Sequence, residues 1–224
     1  MKIFVAIPVY DGKLPVEVVR AILQEQLLGA ALGDEISYCF LPNCSHAAQG
    51  RNQLAQQFMD SDFERLFFLD ADVTFQPGDI IKTARRLEDV VGGAYRYKMD
   101  KEDYPVGWLQ SKELWSNTAG LLEVETLPGG FLAISRKAFE TLKDKFPDRH
   151  FTHFGRKMHC YFQMKFLDGL LYGEDSLFCR EWREAGGTVW LDPELTLTHW
   201  DHNRPFIGHI GNWLKQRPQI KETA

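Results

Sequence analysis

Long apolar runs are missing from this 224-residue chain. Nowhere do about 18 consecutive apolar residues occur, which excludes a membrane-spanning helix. Cysteine is scarce: Cys39, Cys44, Cys160 and Cys179 form no CxxC pair, and a chain this long needs no disulfide staples. Reduced thiols are expected, and with them a cytoplasmic setting, the host's if the chain is viral. There is no surplus of positive charge either. Acidic residues outnumber basic ones 31 to 26, and the net charge of -5 excludes a general attraction to nucleic acid or anionic lipid, leaving at most a local patch. The N-terminus lacks a basic leader followed by an apolar stretch and a small-residue cleavage site, so no secretory signal is expected. No Pro-, Gly- or Ser-rich linker and no internal repeat divides the chain, and residues 1–224 are read as one domain.

What is present is an ordinary globular balance, 44% hydrophobic and 25% charged, sufficient to bury a sizeable core. Lys2 to Val9 is an apolar, β-branched run that ends in Pro8, Tyr10, Asp11 and Gly12, a strand entering a loop. Pro15 suits the first turn of a helix whose apolar positions include Val16, Val19, Leu23 and Leu27, with Gly29 and Gly33 near its end. The same pattern predicts a strand over 35–41, a helix over 51–59 and a strand over 65–69. A helix over 78–90 follows, with Ile80, Ile81, Ala84 and Leu87 on one face, and then a strand over 90–97. This alternation predicts an α/β fold with a mainly parallel central sheet flanked by helices.

The second half is more mixed. Residues 99–128 carry turn signals and two short strand-like pieces, Phe131 to Ile134 reads as a strand, and Arg136 to Lys145 as an amphipathic helix. The aromatic and basic segment 150–165 reads as an acceptor loop or an ordered surface excursion. Residues 175–185 suit a helix stopped by Gly186-Gly187, 188–191 a strand, and 195–200 a terminal strand or extended segment.

Three features carry chemistry. Asp70 and Asp72, in Leu69-Asp70-Ala71-Asp72, follow directly on a buried strand, and in open α/β sheets ligands collect beyond the carboxyl ends of the strands. Hard carboxylate oxygens there suit Mg²⁺ or Mn²⁺ bridging to a diphosphate, although Asp-x-Asp also occurs in plain turns. His199, in Thr198-His199-Trp200-Asp201, is a candidate imidazole ligand, since manganese accepts mixed oxygen and nitrogen donors. Glu174-Asp175 opens a helix-like stretch, where an acid serves either as a cap or as a general base. Arg96 and Lys98 either face phosphate or lie on a solvated strand face. Trp108, Trp115, Tyr161, Phe162, Trp200 and Trp213 are sugar or base platforms or, more commonly, core residues.

The order of these pieces resembles the GT-A glycosyltransferases, especially the family-2-like branch. The matching pieces are Ile7-Pro8-Val9-Tyr10-Asp11, Gly50-Arg51-Asn52, Leu69-Asp70-Ala71-Asp72, Gly129-Gly130-Phe131, Gly173-Glu174-Asp175 and Thr198-His199. The resemblance implies a single GT-A domain, with residues 1–98 as the nucleotide-binding half and 99–224 as the acceptor side. It implies that Pro8, Tyr10, Asp11, Arg51 and Asn52 line the pocket for the nucleotide of a nucleotide-diphosphate sugar. Asp70 would approach the ribose or the metal, and Asp72 and His199 would hold Mn²⁺ or Mg²⁺. Gly129 and Gly130 would let backbone come close to donor sugar or acceptor, or form a tight turn. Asp175, or else Glu174, would act as the base of an inverting transfer to a hydroxyl of a glycan, a protein glycan or, less expected, a modified DNA base. Two other classes remain open: a sugar-phosphate nucleotidyltransferase, although Pro8 to Lys13 is not the Gly-rich phosphate loop such an enzyme would carry, and a non-catalytic nucleotide- or carbohydrate-binding module.

Overall fold

Strands buried on both faces carry unbroken apolar runs, and two such runs form adjacent interior strands of the sheet, β1 (Lys2–Val9) and β3 (Arg65–Leu69). The computed structural model describes residues 1–110, 114–167 and 169–216. In it α1 (Val16–Leu32) and β2 (Glu35–Pro42) follow β1, and α2 (Ala47–Met59) leads into β3. Then come β4 (Val73–Thr74), α3 (Asp79–Ala84), β5 (Val90–Gly92), β6 (Leu122–Val124), β7 (Phe131–Ser135) and α4 (Arg136–Lys145). Two hairpins follow, β8 (His150–His153) with β9 (Arg156–His159) and β10 (Lys165–Leu167) with β11 (Leu170–Tyr172). The chain continues with α5 (Glu174–Glu184), β12 (Val189–Leu191), β13 (Thr196–Asp201), β14 (Arg204–His209) and α6 (Ile210–Gln216).

The main sheet has the order β2-β1-β3-β7-β5-β12-β6. Pairing is parallel for β1 with β2 and β3 and for β12 with β5, whereas β7 runs antiparallel between β3 and β5, and β6 antiparallel to β12. Five strands therefore point one way and two the other, so the sheet is mainly parallel and its mixed character comes from the second half. Alternate side chains feed two cores. Ile3, Val5, Ile7, Phe67 and Leu69 pack with Val18 and Ile22 of α1 and Ile80 and Ile81 of α3. Phe4, Leu66 and Phe68 pack on the other face with Leu54 and Phe58 of α2, Phe139 of α4 and Phe178 of α5. A separate three-stranded sheet, β14-β13-β4, closes one end of the molecule beside the end of β3.

Four details differ from the sequence reading. The apolar positions assigned to α1, Val16, Val19, Leu23 and Leu27, are exposed, and its buried side is Val18, Ala21, Ile22, Glu25 and Gly29. The cause is Glu25, whose carboxylate accepts the Gly78 and Ile81 backbone N–H groups and so caps α3, a buried use of charge that apolar periodicity does not signal. Gly29 lies on the inward side, where a Cβ would overlap Ile36. Helix α3 ends at Ala84, which leaves Leu87 fully in solvent. Strand β5 stops at Gly92, and β13 is not terminal, since β14 pairs along its whole length. In the stretch 99–128, residues 111–113 lie outside the described part, and the strand content is β6 with two isolated bridges, Gly107 to Thr126 and Ser116 to Leu122.

Candidate active site

The carboxyl ends of β1 and β3 open into a cavity of ≈ 750 Å³. Its wall includes Pro8, Tyr10 and Asp11 from the end of β1, Arg51 from α2, Asp70 and Asp72 after β3, and Glu174 and Asp175 from the start of α5. Eight expected site residues, spread over the whole chain, thus meet in one place. Tyr10 is 74% exposed at the rim, and Asp11 accepts the Lys13 N–H at 3.1 Å, which shapes the loop leaving β1.

The floor is a buried ionic knot. Arg51, 4% exposed, uses every guanidinium nitrogen: one NH2 donates to the Gly129 carbonyl at 3.0 Å, the other to Asp70 Oδ1 at 2.9 Å, and Nε to Glu174 Oε1 at 3.3 Å. Its guanidinium also lies 5.0 Å from the centre of the Phe68 ring. Burial opposes the charge, but Asp70, Glu174 and Asp175 outweigh it and hold the arginine protonated. The Tyr95 hydroxyl donates to the second oxygen of Asp70 at 2.9 Å. Burial first, and then the Asp70 carboxylate, keep that phenol protonated well above its ordinary range. Sequence reasoning passed over Tyr95; the strand expected over 90–97 gave it no special position, and only the bend after Gly92 brings it to the acid pair.

Gly129 and Gly130 serve this knot through close approach. A Cβ on Gly129 would press on the Arg51 guanidinium, and one on Gly130 would overlap the Asp70 carboxylate and the Tyr95 hydroxyl. The Gly130 carbonyl accepts the Asp70 N–H at 2.9 Å, and the Gly129 N–H donates to Asp175 Oδ2 at 3.0 Å. Neither glycine lines the cavity, and nor does Asn52. The Asn52 amide is committed to the backbone of Tyr161 and Phe162, accepting from both N–H groups at 2.8 and 2.9 Å and donating to the Phe162 carbonyl at 2.7 Å. Tyr161 and Phe162 are core residues, and Trp200 is the tryptophan that reaches the cavity wall.

Asp72 has different company from Asp70. Strand β13 pairs antiparallel with β4, placing His199 opposite Val73, and the Trp200 N–H donates to the Asp72 carbonyl at 2.8 Å. This register brings His199 Nε2 to 3.4 Å from Asp72 Oδ2. The other imidazole nitrogen, Nδ1, lies 3.0 Å from the Arg96 carbonyl, a partner that can only accept, so Nδ1 carries the proton. In the neutral ring the Nε2 lone pair then faces a carboxylate oxygen. That donor set fits a divalent cation, and the carbonyl behind the ring is the kind of support that orients a metal-ligating histidine. Lys98 Nζ also reaches Asp72 Oδ2, at 2.6 Å. Burial raises the Asp72 pKa, but the basic groups beside it, His199 and Lys98, prevail and leave it below the usual carboxylate value. Among the described residues no group of three or more His, Cys, Asp or Glu side chains forms a metal cage. The protein's share of any coordination sphere here is small.

Asp175 lies in the first turn of α5, whose N-cap is Gly173 with no side-chain cap. Its Oδ1 accepts the Ser176 N–H at 2.7 Å while Oδ2 takes the Gly129 N–H, which fixes the carboxylate against the cavity.

No family model and no curated protein matches the sequence. Solved structures do match in shape. The structure described as A197 from STIV aligns with a TM-score of 0.57 and 22% identity, over 91% of this chain and 87% of that one. GalNAc-T7, solved with UDP, GalNAc and Mn²⁺, aligns with a TM-score of 0.50 and 12% identity over 88% of this chain, which spans 43% of that longer protein. The fold is the one that the sequence resembles, that of the GT-A glycosyltransferases.

Proposed function

We propose that the chain is a metal-dependent glycosyltransferase that moves a sugar from a nucleotide-diphosphate sugar to a hydroxyl acceptor, with inversion at the anomeric carbon. The observation that carries this reading is the pair Asp72 Oδ2 and His199 Nε2, 3.4 Å apart, with Asp72 on the wall of a cavity at the strand ends of a GT-A fold and His199 directly behind it. The charge balance of the wall supports it. Asp11, Asp70, Asp72, Glu174, Asp175 and Asp201 supply six carboxylates against three cations, Lys13, Arg51 and Lys98, so a diphosphate gains entry only in company with positive charge. Mn²⁺ or Mg²⁺ bound at Asp72 and His199 would neutralise the diphosphate and make the nucleotide a better leaving group.

The remaining roles belong to this chain's own side chains. Pro8, Tyr10 and Asp11 stand where the loop leaving β1 would meet the nucleotide. Arg51 and Asp70 brace the floor beneath it, Asp70 near enough to the cavity to meet the ribose. Asp175 is the base: two backbone N–H groups orient its carboxylate, and it accepts the proton of the acceptor hydroxyl as that oxygen attacks. The acceptor is a glycan or a protein glycan before a modified DNA base. The four cysteines are free thiols, which supports a cytoplasmic setting; no helix among the described residues is long and apolar enough to cross a membrane.

The test is a screen of nucleotide sugars for binding and slow hydrolysis, each with Mn²⁺, with Mg²⁺ and with chelator. Metal-dependent binding with release of nucleoside diphosphate is expected for at least one donor. Binding with no hydrolysis or transfer under any condition would reduce the chain to a binding module, and failure to bind any nucleotide sugar would end the reading.

A further inference from the structure

Lys98 stands on the segment that leaves β5, three residues past Tyr95, and its side chain is 31% exposed. Its Nζ contacts Asp72 Oδ2, the oxygen that also faces His199 Nε2. One carboxylate oxygen is thus shared by an ammonium group and the imidazole that would complete a metal site. A cation bound between Asp72 and His199 must take that oxygen from Lys98, and would then repel the displaced ammonium group. The nearby cations, Arg51 and Arg96, do not share this fate. Arg51 is locked in the buried knot, and Arg96 donates to the Met99 and Asp100 carbonyls. A lysine is suited to exchange partners, being a compact charge on a flexible stem.

We propose that Lys98 is an exchangeable counter-ion that couples metal binding to diphosphate binding. It neutralises Asp72 while the site is empty of donor, and moves to a phosphate oxygen when metal and nucleotide diphosphate arrive together. The inference rests on Asp72 and His199 being the metal ligands. Metal alone must break the Lys98–Asp72 pair and strand the lysine beside a divalent charge; metal with diphosphate gives the lysine a new anion. Each ligand therefore strengthens the other, and by linkage the factor is the same in both directions.

The experiment measures Mn²⁺ affinity by electron paramagnetic resonance for the parent and for Lys98→Met, with and without a saturating nucleoside diphosphate. Calorimetry supplies the nucleotide affinity with and without Mn²⁺. In Lys98→Met, Mn²⁺ alone is expected to bind more tightly, by up to about fivefold, the most that a part-exposed ion pair ordinarily contributes. The gain in Mn²⁺ affinity on adding nucleoside diphosphate is expected to shrink by about fivefold or more. Lys98→Arg should keep most of the coupling. Unchanged or weaker binding of Mn²⁺ alone in Lys98→Met, or an unchanged coupling factor, would overturn the proposal. Asp72→Asn separates the two levels: if it loses Mn²⁺ while Lys98→Met behaves as the parent, the counter-ion role alone fails. If Asp72→Asn binds Mn²⁺ as the parent does, the metal site itself is misplaced and the lysine's role falls with it.

Discussion

Arg51 holds Asp70 at 2.9 Å and, through its Nε, reaches Glu174 at 3.3 Å across 123 positions of the sequence. This single guanidinium joins α2, the end of β3 and the start of α5, so the floor of the cavity is also a tertiary fastening. Removing one partner of a buried ion pair leaves the others uncompensated, at a cost of about 3 kcal/mol or more. Arg51→Ala is therefore expected to lose about that much stability in urea titration. Arg51→Lys, which keeps the charge but not the three-way geometry, should fall between. An Arg51→Ala protein within about 0.5 kcal/mol of the parent would mean that the knot is decorative.

Metal affinity should follow Asp72 and His199 and not Asp70, because the Asp70 carboxylate is already taken by Arg51 and Tyr95. Asp72→Ala and His199→Ala are expected to weaken Mn²⁺ binding in the presence of nucleoside diphosphate by about tenfold or more. Equal affinity and unchanged metal dependence in both variants, read by calorimetry, would show that the cation binds elsewhere.

Asp11 sits at the exposed rim and is tied only to its own loop, so its contacts with donor should be alike in ground and transition states. Such uniform binding acts on KM. Steady-state kinetics of Asp11→Ala should show a raised donor KM with kcat nearly kept, and a collapse of kcat at saturating donor contradicts this placement.

The base is tested by Asp175→Asn. Its amide oxygen keeps only one of the two backbone N–H partners of the carboxylate, at a cost of about 1–3 kcal/mol, so the variant should be less stable but still fold and bind metal and nucleotide. It should lose transfer by at least about 10²-fold, the lower end of what general bases contribute. Near-normal transfer, or a product that retains the donor's anomeric configuration, would return Asp175 to a structural part at the start of α5.

Acid should destabilise the fold through His159, which is 7% exposed. Burial, and then the neighbouring Lys143, Arg149 and His150, push its pKa down from 6.5 to about 4. Above 6.5 neither the folded nor the unfolded form binds the proton; between 6.5 and about 4 the unfolded form binds it and the folded form does not. The stability contributed by the neutral ring is thus complete above pH 6.5 and is lost as pH falls toward 4, by an amount on the order of a few kcal/mol. Urea midpoints for the parent and His159→Gln should diverge at neutral pH and converge in acid if the variant packs less well. A parent midpoint that is flat across this window sinks the assignment.

Much of the first half was legible because the physics there is local. Residues 3–9 and 66–69 are apolar throughout, so their burial on both faces and the acids at their ends could be read together. The face of α1 was not legible, since Glu25 is buried to cap α3, and only the packing of two helices reveals that use. Asp72 and His199 were each named from their place at strand ends and then from the family resemblance, but their meeting depends on the β4–β13 register, which no local pattern encodes. The different duties of the two acids were hidden for the same reason. Tyr95 and Arg51 claim Asp70 through the bend after β5 and the burial of α2, both of which are tertiary. Asn52 shows the converse case: a polar residue in a matching motif whose amide serves the backbone at Tyr161 and Phe162.

Because β7 runs against β3, its first residues and not its last meet the end of β3: Phe131 pairs with Leu69, and the Gly130 carbonyl takes the Asp70 N–H. The acid pair is thus fastened by chain that is made much later, and Trp200 closes the other side by donating to Thr74, 126 positions away. Contacts of such separation require loop closure to be met before they return any stability, which makes them late events in folding. During synthesis residues 1–98 emerge before any cavity exists, and the ionic floor assembles only once the start of α5 has been added. A complete cavity in this chain is for that reason a late product of folding, reached once α5 and β13 have both packed.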